Sequence, residues 1–199
     1  LASVIFYGPP GTGKTALAHV IAHHTQARFV SINAAASNVA EMREVLVAAK
    51  DRRQRSGKRT VLFVDELHRF NKAQQDVLLP DVEEGIVLLI GATTHTPFFT
   101  VTSARVSRSQ IFEFRALSRD DLKTLLRRAL ADAERGLGSH RVDLTDEALS
   151  HLAEMSDGDA RRALNALEVG VLTTAPGPDG IVHYDLKAAE DSIQRKAVL

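Results

Sequence analysis

The feature that most constrains the fold of this chain is a glycine-rich segment closed by a lysine. Residues 8–15 read Gly-Pro-Pro-Gly-Thr-Gly-Lys-Thr and match the pattern G-x-x-x-x-G-K-S/T. An apolar run over residues 3–7 comes directly before the segment, and a helical pattern from Lys14 to about His24 follows it. Glycines let backbone amides turn inward around an anion, and a helix directs the positive end of its dipole at the same place. The order strand, loop and helix therefore predicts a phosphate-binding loop.

Each residue of this loop has an expected part in holding a nucleoside triphosphate. The Lys14 ammonium is expected on the β- and γ-phosphates, and the Thr15 hydroxyl is expected to ligate Mg²⁺. The other contacts are expected from Gly8, Pro9, Pro10, Gly11, Thr12, Gly13 and Ala16. A glycine-rich turn without a ligand is the alternative, which the flanking strand and helix disfavour. The sequence thus predicts ATP and Mg²⁺ as the bound cofactors.

Short apolar runs alternate with helical patterns over the first part of the chain. Runs such as 61–64 and 86–90 are apolar on both faces, as parallel strands covered by helices on both sides must be. Asn71 and Gln74 are typical of a helix start, and Pro80 is expected to end that helix. The predicted strands are 3–7, 28–32, 60–64, 86–90 and 111–114. This alternation predicts a three-layer α/β domain with a five-stranded parallel sheet.

Helical patterns replace the alternation after about residue 115. Helical spacing with recognisable starts is found from residues 118, 145, 159 and 185. Residues 181–184 are interpreted as a short extended piece at most. The sequence therefore predicts an α/β domain over residues 1–115 and a small all-helical lid subdomain over residues 116–199.

Composition excludes several classes of function. The 199 residues carry 25 Lys and Arg against 25 Asp and Glu, so no bulk basic field drives nonspecific binding to nucleic acid. The absence of Cys excludes disulfide frameworks, thiolate zinc sites and cysteine nucleophiles. No apolar run reaches about 18 residues, so we expect no membrane span. A cytoplasmic location is expected separately. Because the chain starts without Met at a strand-like run, we expect a fragment of a longer protein.

A second motif lies at residues 61–66, where four apolar residues precede Asp65 and Glu66. In open α/β sheets, ligands bind at the carboxyl edge, where such a strand would present its acids. Asp65 is expected to hold Mg²⁺, and Glu66 to orient and polarise a water for in-line attack on the γ-phosphate. A strand that simply ends in two solvated acids is the alternative. Beside a phosphate loop, the pair favours hydrolysis of a nucleoside triphosphate.

Together these motifs resemble those of AAA+ ATPases, and one segment is more specific. Residues 65–72 read Asp-Glu-Leu-His-Arg-Phe-Asn-Lys, and residues 91–94 read Gly-Ala-Thr-Thr. With them, the chain from about residue 3 to residue 195 closely resembles the replication-associated recombination protein A family (MgsA, or Werner helicase-interacting protein in eukaryotes). The resemblance implies the ATP-hydrolysing core of a DNA replication and recombination maintenance protein. Such a protein is expected to act at stalled forks, gaps or DNA ends.

The resemblance also implies roles for residues outside the two motifs. Thr94 falls where the family places sensor 1, a polar side chain that helps fix the attacking water. Arg108 falls at the arginine finger, which reaches the γ-phosphate of a neighbouring subunit, and Arg105 is the reserve candidate. Arg161 falls at sensor 2, which contacts nucleotide from the helical lid of the same subunit. A solvated arginine or a strand-end threonine is the alternative at each position.

The implied partners are DNA and further copies of the chain. The resemblance implies forked, gapped or single-strand-containing DNA and a homo-oligomer, expected to be a tetramer in the full-length protein. A single-stranded DNA-binding protein is a further candidate partner, and a nucleoid location follows if the source is bacterial. No membrane partner is expected.

Two other functions remain open on the sequence. A clamp-loader subunit or branch-migration motor shares most motifs, although residues 68–72 disfavour it. A nucleotide-gated scaffold with little turnover is the second, and the presence of Asp65, Glu66 and Arg108 argues against it. Five basic residues between positions 52 and 59 are interpreted as a solvated turn, with contact to a phosphate backbone as the alternative.

Overall fold

The computed structural model describes residues 3–95 and 109–194. Its Cα positions form two compact units. The first runs up to Pro9 and from Gly13 to Phe114, and the second consists of Pro10–Thr12 and the chain from Arg115 onward. Within the described ranges, every helix is too short or too polar to cross a bilayer.

In the part of the first unit that the structure describes, one parallel sheet of five strands forms the centre, in the order β2-β3-β4-β1-β5. The strands are β1 (Val4–Tyr7), β2 (Arg28–Asn33), β3 (Thr60–Asp65), β4 (Val87–Thr93) and β5 (Gln110–Glu113). The predicted five-stranded parallel α/β fold is confirmed. The fourth strand extends three residues past its predicted end at Ile90, because residues 91–93 continue the ladder with β1.

Both faces of the sheet are covered, which explains why β3 is apolar throughout. Residues 61–64 of β3 are essentially inaccessible to water. On one face, Val61 and Phe63 belong to a core that includes Ala18 and Ala22 of the helix α1 (Lys14–His24). On the other face, Leu62 and Val64 pack with apolar residues of α2 (Val39–Ser56) and α3 (Lys72–Glu83): Met42, Leu46, Ala49 and Leu78. Two helical layers therefore hold the sheet, and the edge formed by the strand ends is left for a site.

Helix α3 begins as predicted but ends later than predicted. Asn71 and Gln74 form a complete capping box, in which the Gln74 amide donates to Asn71 Oδ1 at 2.9 Å. The expectation that Pro80 ends the helix is wrong. A proline inside a helix removes one amide donor and crowds the carbonyl four residues earlier, but this helix continues past Pro80 to Glu83, and Gly85 then adopts a left-handed φ of 68°. The last turn is anchored by buried Asp81, whose Oδ1 lies 2.7 Å from the Lys50 ammonium of α2.

Over its described residues, the second unit is built mainly from four helices around one apolar core. They are α4 (Arg119–Ala131), α5 (Asp146–Met155), α6 (Ala160–Thr173) and α7 (Leu186–Gln194). Leucines from the first three of these helices form the centre of the core: Leu122, Leu126, Leu149, Leu152 and Leu167. Ser118 and Asp121 form the capping box that the sequence predicts, with the Asp121 amide 3.1 Å from Ser118 Oγ.

The helical part differs from an all-helical subdomain by one short parallel pair of strands. The strands β6 (Val142–Leu144) and β7 (Val182–Tyr184) pair in register over three residues each. Three residues are too few for a period-two pattern to stand out in the sequence. The pair is fixed by Tyr184, which is fully buried and whose hydroxyl lies 3.2 Å from Ala166 O and 2.8 Å from Ser192 Oγ.

Candidate active site

The loop after β1 begins with a glycine that no other residue could replace without moving the backbone. Gly8 has a φ of 148°, and a side chain there would collide with the carbonyl group of Phe114. Its amide donates to the carbonyl oxygen of Thr93 at 3.1 Å. The start of the loop is therefore tied to the end of β4 and packed against the residue that follows β5.

Lys14 closes the same loop and folds back onto it. Its ammonium lies 2.8 Å from Gly8 O and 2.6 Å from Pro9 O, and only 9% of the residue is exposed. The residue before it, Gly13, has a φ of 92° and places no side chain over the first amides of α1. Phosphate oxygens attract an ammonium more strongly than neutral carbonyls do. The lysine can thus exchange its two carbonyls for phosphates, and the loop fits a triphosphate.

The tip of the loop, Pro10–Thr12, belongs to the second unit. Within that unit, the Ala160 amide donates to the carbonyl oxygen of Gly11 at 3.0 Å. Gly11 has a φ of 68°, and a side chain on it would collide with the carboxylate of Asp159, the residue that caps α6. Arg161 follows Ala160 on the first turn of α6 and is exposed. Its role as sensor 2 stays a prediction.

The two acids lie at the carboxyl end of β3, on the same edge of the sheet as the loop. Val64 pairs with Gly91, and Phe6 pairs with Ala92, so β4 separates the end of β3 from the end of β1. Strands spaced by about 4.8 Å put the two ends about 10 Å apart. That distance leaves room for phosphates and a metal ion between Asp65 and the phosphate loop.

Asp65 and Glu66 are held in an unusual local conformation. The Glu66 amide donates to Asp65 Oδ1 at 3.0 Å, and Glu66 has a φ of 56° in the left-handed region. That conformation costs energy for a residue with a side chain, and such strain concentrates at functional sites. The side chain of Glu66 is 38% exposed. Its carboxylate is therefore accessible to a water molecule.

Glu66 faces a histidine that sequence reasoning quoted but gave no role. His68 Nε2 lies 3.5 Å from Glu66 Oε2, and His68 Nδ1 lies 3.1 Å from the hydroxyl oxygen of Thr93. The His68 side chain is only 9% exposed, and its ring centroid lies 4.2 Å from that of His95. Burial lowers the pKa of His68, the nearby His95 lowers it further, and Glu66 acts in the opposite direction. The signal in the sequence was a histidine two residues beyond an Asp-Glu pair at a strand end.

The remaining predicted residues divide by where they lie. Thr94 is exposed and lies one residue beyond β4, which ends at buried Thr93. Arg105 and Arg108, the candidates for the arginine finger, fall outside the described residues. Thr15 is half-buried in the first turn of α1.

The residues present fit a magnesium ion shared with a phosphate. The structure as described contains no group of three or more His, Asp or Glu that could hold a metal alone. Magnesium is usually bound by one or two protein oxygens, with substrate phosphates and waters completing its shell. The Thr15 hydroxyl and the Asp65 carboxylate are oxygen donors of the required kind.

The basic cluster between residues 52 and 59 has structural partners in the first unit. Arg52 Nη1 donates to Thr60 Oγ1 at 2.9 Å, and Arg53 Nη1 donates to Glu84 O at 3.1 Å. Arg55 pairs with Asp51 one helical turn away at 2.7 Å. The interpretation as a solvated turn is wrong for these three arginines, which lie in the last turns of α2; only Lys58 and Arg59 lie in the connection to β3.

Comparison with known proteins assigns the chain to a family. Residues 4–118 match the ATPase family associated with various cellular activities (AAA), and residues 138–199 match an AAA C-terminal domain. Replication-associated recombination protein A of Bacillus subtilis (strain 168) is 45% identical over 197 residues, covering 99% of this chain and 46% of that protein. The protein of that name from Escherichia coli (strain K12) is 48% identical over 169 residues, covering 85% and 38%. The chain therefore spans less than half the length of these relatives.

A solved structure shares the fold of this chain. The Thermotoga maritima RuvB Holliday junction branch migration motor superposes with a TM-score of 0.75 at 25% identity, covering 98% of this chain and 62% of that one. The family resemblance stated from the sequence motifs is confirmed by the two relatives. The chain belongs to the AAA family of ATPases, in the branch of replication-associated recombination protein A.

Proposed function

We propose that this chain is the Mg²⁺-dependent ATP-hydrolysing core of a longer protein that maintains DNA during replication and recombination. The observation that carries the proposal is the position of Asp65 and Glu66 at the sheet edge that also holds the phosphate loop, with only β4 between them. The role in DNA maintenance is supported by the names of the relatives.

The phosphate loop binds and orients the triphosphate. The Lys14 ammonium leaves the carbonyls of Gly8 and Pro9 for the β- and γ-phosphates, while amides at the start of α1 donate to the same anion. Thr15 and Asp65 hold the Mg²⁺, directly or through water. When bound, the ion neutralises negative charge on the phosphates during transfer.

Glu66 directs the attacking water. Its carboxylate accepts a hydrogen bond from the water, whose oxygen bonds to the γ-phosphorus as the bond to the bridging oxygen breaks. ADP leaves with the bridging oxygen and its electron pair, and the protons of the water remain with the inorganic phosphate that forms. Thr94, one residue beyond the adjacent strand β4, helps hold that water. Arg161 of the same subunit and Arg108 of a neighbouring subunit stabilise charge on the transferred phosphoryl group, a contribution worth about 10³–10⁵-fold in rate for an arginine finger.

The rest of the proposal concerns the whole protein. We propose that it acts on forked, gapped or single-strand-containing DNA as a homo-oligomer, with the tetramer as the expected state. A single-stranded DNA-binding protein is a candidate partner. The expected location is the cytoplasm or the nucleoid. Assembly is required if Arg108 completes the site of the next subunit.

The test is steady-state ATP hydrolysis by the full-length protein, with and without forked and gapped DNA. Glu66→Gln supplies the blank, since it removes the carboxylate and preserves the size of the side chain. We expect turnover that requires Mg²⁺, rises with DNA and disappears in Glu66→Gln. Turnover that persists in Glu66→Gln would overturn the catalytic assignment. Turnover that does not change with any of the DNA substrates would support the ATPase assignment and reject the coupling of hydrolysis to DNA.

A branch-migration motor is the second candidate, because the similarity to the RuvB motor covers nearly the whole chain. The two candidates differ in substrate. Movement of a four-way DNA junction that requires ATP, with no response to forks or gaps, would favour the motor.

A further inference from the structure

We propose that His68 is a positioning residue that links the Glu66 carboxylate, through Thr93, to the first amide of the phosphate loop. This inference rests on the proposed function, since it assumes hydrolysis directed by Glu66. It adds a residue between the strand-end acid and the fourth strand, and it connects the two halves of the site.

Thr93 is the centre of the link because it makes two different contacts. Its backbone carbonyl accepts the Gly8 amide at 3.1 Å, which fixes the start of the phosphate loop. Its hydroxyl oxygen lies 3.1 Å from His68 Nδ1. Thr93 is only 3% exposed and is paired with Tyr7 in the sheet, so both contacts start from a fixed point.

The chemistry of the partners selects the tautomer of His68. A carboxylate only accepts hydrogen bonds, so the nitrogen that faces Glu66 must carry the proton. The other nitrogen of a neutral imidazole is an acceptor and can accept a hydrogen bond from the Thr93 hydroxyl. The Thr93 oxygen in turn accepts the His95 amide at 3.0 Å. The hydroxyl proton has two acceptors within reach, His68 Nδ1 at 3.1 Å and His95 O at 3.3 Å, and the contact with the ring is the shorter.

The link controls the direction of the Glu66 side chain. Glu66 follows β3 in a left-handed conformation, and its carboxylate is half-exposed, so little else restrains it. Arg69 Nε lies 3.8 Å from the same oxygen but is itself mostly exposed. The nearly buried ring of His68 is the more rigid partner. At 3.5 Å its contact is longer than a full hydrogen bond, and catalytic contacts of this kind shorten when substrate is bound.

Variants of the full-length protein can separate the two contacts of His68. Glutamine can reach toward Glu66 with its terminal amide, whereas asparagine is shorter and retains at most the contact at the Nδ1 position. We expect His68→Ala and His68→Asn to lower kcat about 10–100-fold, as for residues that hold the ligands of metal sites in place. His68→Gln should retain more kcat than His68→Asn. The Kd for ATP should change less than about twofold, and His140→Gln, at an exposed site in the second unit, should match the wild type.

A second set tests whether His68 acts through Thr93. Thr93→Val keeps the shape of the side chain and removes its hydroxyl. Like the His68 variants, it should lower kcat. Residues of one link are not additive, so His68→Ala combined with Thr93→Val should be no slower than the slower single variant. This set also decides the question if His68→Ala fails to fold, because Thr93→Val and His68→Gln retain the volume of the native side chains.

Three results would overturn the proposal. They are an unchanged kcat in His68→Ala, losses that multiply in the double variant, or a Kd for ATP that rises as much as kcat falls. A failure of the proposed function has a different signature, because Glu66→Gln would then retain turnover. Normal turnover in the His68 variants with an inactive Glu66→Gln would reject only the positioning role.

Discussion

The Lys14 ammonium lies 2.8 Å from the carbonyl oxygen of Gly8, so the two ends of the phosphate loop are joined through a side chain. A loop closed in this way keeps its curvature while it holds no phosphate. The contact also orders the lysine before substrate arrives, so less rotamer entropy remains to be lost on binding.

Lys14→Ala should abolish nucleotide binding without unfolding the chain. The wild type gains stability from a ligand by mass action, about 2.7 kcal/mol when Mg-ATP is at 100 times its Kd. The variant lacks the charge that holds the phosphates and should show no shift. The measurement is the midpoint of thermal unfolding with and without Mg-ATP. A shift in Lys14→Ala as large as in the wild type would contradict the assigned role.

Glu66→Gly should stabilise the protein and abolish turnover. The left-handed φ of 56° at Glu66 costs a side-chain-bearing residue about 1 kcal/mol, which glycine avoids. Glycine cannot contact His68 or pair with Arg69, but the native carboxylate is half-exposed, so the absence of these contacts offsets little of the gain. Denaturant unfolding and ATP hydrolysis, measured on the same samples, check the two effects.

Gln26→Gly is the matched control for that variant. Gln26 follows α1 with a φ of 52° and lies outside the proposed site. The Gln26→Gly variant should gain about as much stability as Glu66→Gly and keep full turnover. If Glu66→Gly is less stable than the wild type while Gln26→Gly is more stable, the carboxylate contributes more to the fold than its exposure indicates.

The stability of the protein should fall faster with decreasing pH when His68 is present. The pKa of His68 in the folded state is below its ordinary value of 6.5, so the unfolded chain takes up a proton first as pH falls. The contribution of neutral His68 to the free energy of unfolding is complete above about pH 6.5, and it is lost as the pH falls toward the pKa of His68 in the folded state. The charged and titratable groups around the ring are Asp65, Glu66, Arg69 and His95.

The measurement is the unfolding free energy of the wild type and His68→Gln between about pH 7.5 and 5.5, a range that brackets the ordinary histidine pKa. The difference between the two proteins isolates His68 from the other histidines. His95→Gln should weaken the effect, because it removes a neighbour that lowers the pKa of His68. Identical slopes in the wild type and His68→Gln would show that the ring does not titrate differently on folding.

Tyr184→Phe should destabilise the helical unit by about 1–3 kcal/mol, the cost of leaving a buried polar group without its partner. The Tyr184 hydroxyl contacts Ala166 O and Ser192 Oγ inside the core. Calorimetry on Tyr184→Phe, Ser192→Ala and the double variant gives the coupling between the two hydroxyls. A double variant equal to the sum of the singles would rule out that coupling.

The parts of the fold that the sequence predicts well are those set by local pattern. The apolar run of β3 and the caps at Asn71 and Ser118 act through neighbours in the chain, and all three are present. The late end of α3 has no such local signal, because Pro80 is tolerated once tertiary contacts such as Lys50 with Asp81 hold the following turn. The pairing of β6 with β7 also has no local signal in the sequence, because strands of three residues give no periodic pattern.

The same distinction applies to the site. The phosphate loop and the pair Asp65 and Glu66 are contiguous motifs, and each sits where its flanking strand predicts. The contact between His68 and Thr93 joins segments that are distant in the chain, and it depends on the register of β3 against β4. A single sequence does not contain that register in any local pattern.

The position of β1 within the sheet bears on how the chain folds. Of the described strands, β1 comes first in the chain, yet both of its partners, β4 and β5, come from the far end of the first unit. Pairings of such high contact order form slowly and late. Until β4 is in place, the Gly8 amide has no Thr93 carbonyl to hold it, so a nucleotide cannot stabilise early intermediates. Ligand-assisted folding should therefore act only on the final step, when the sheet closes around its first strand.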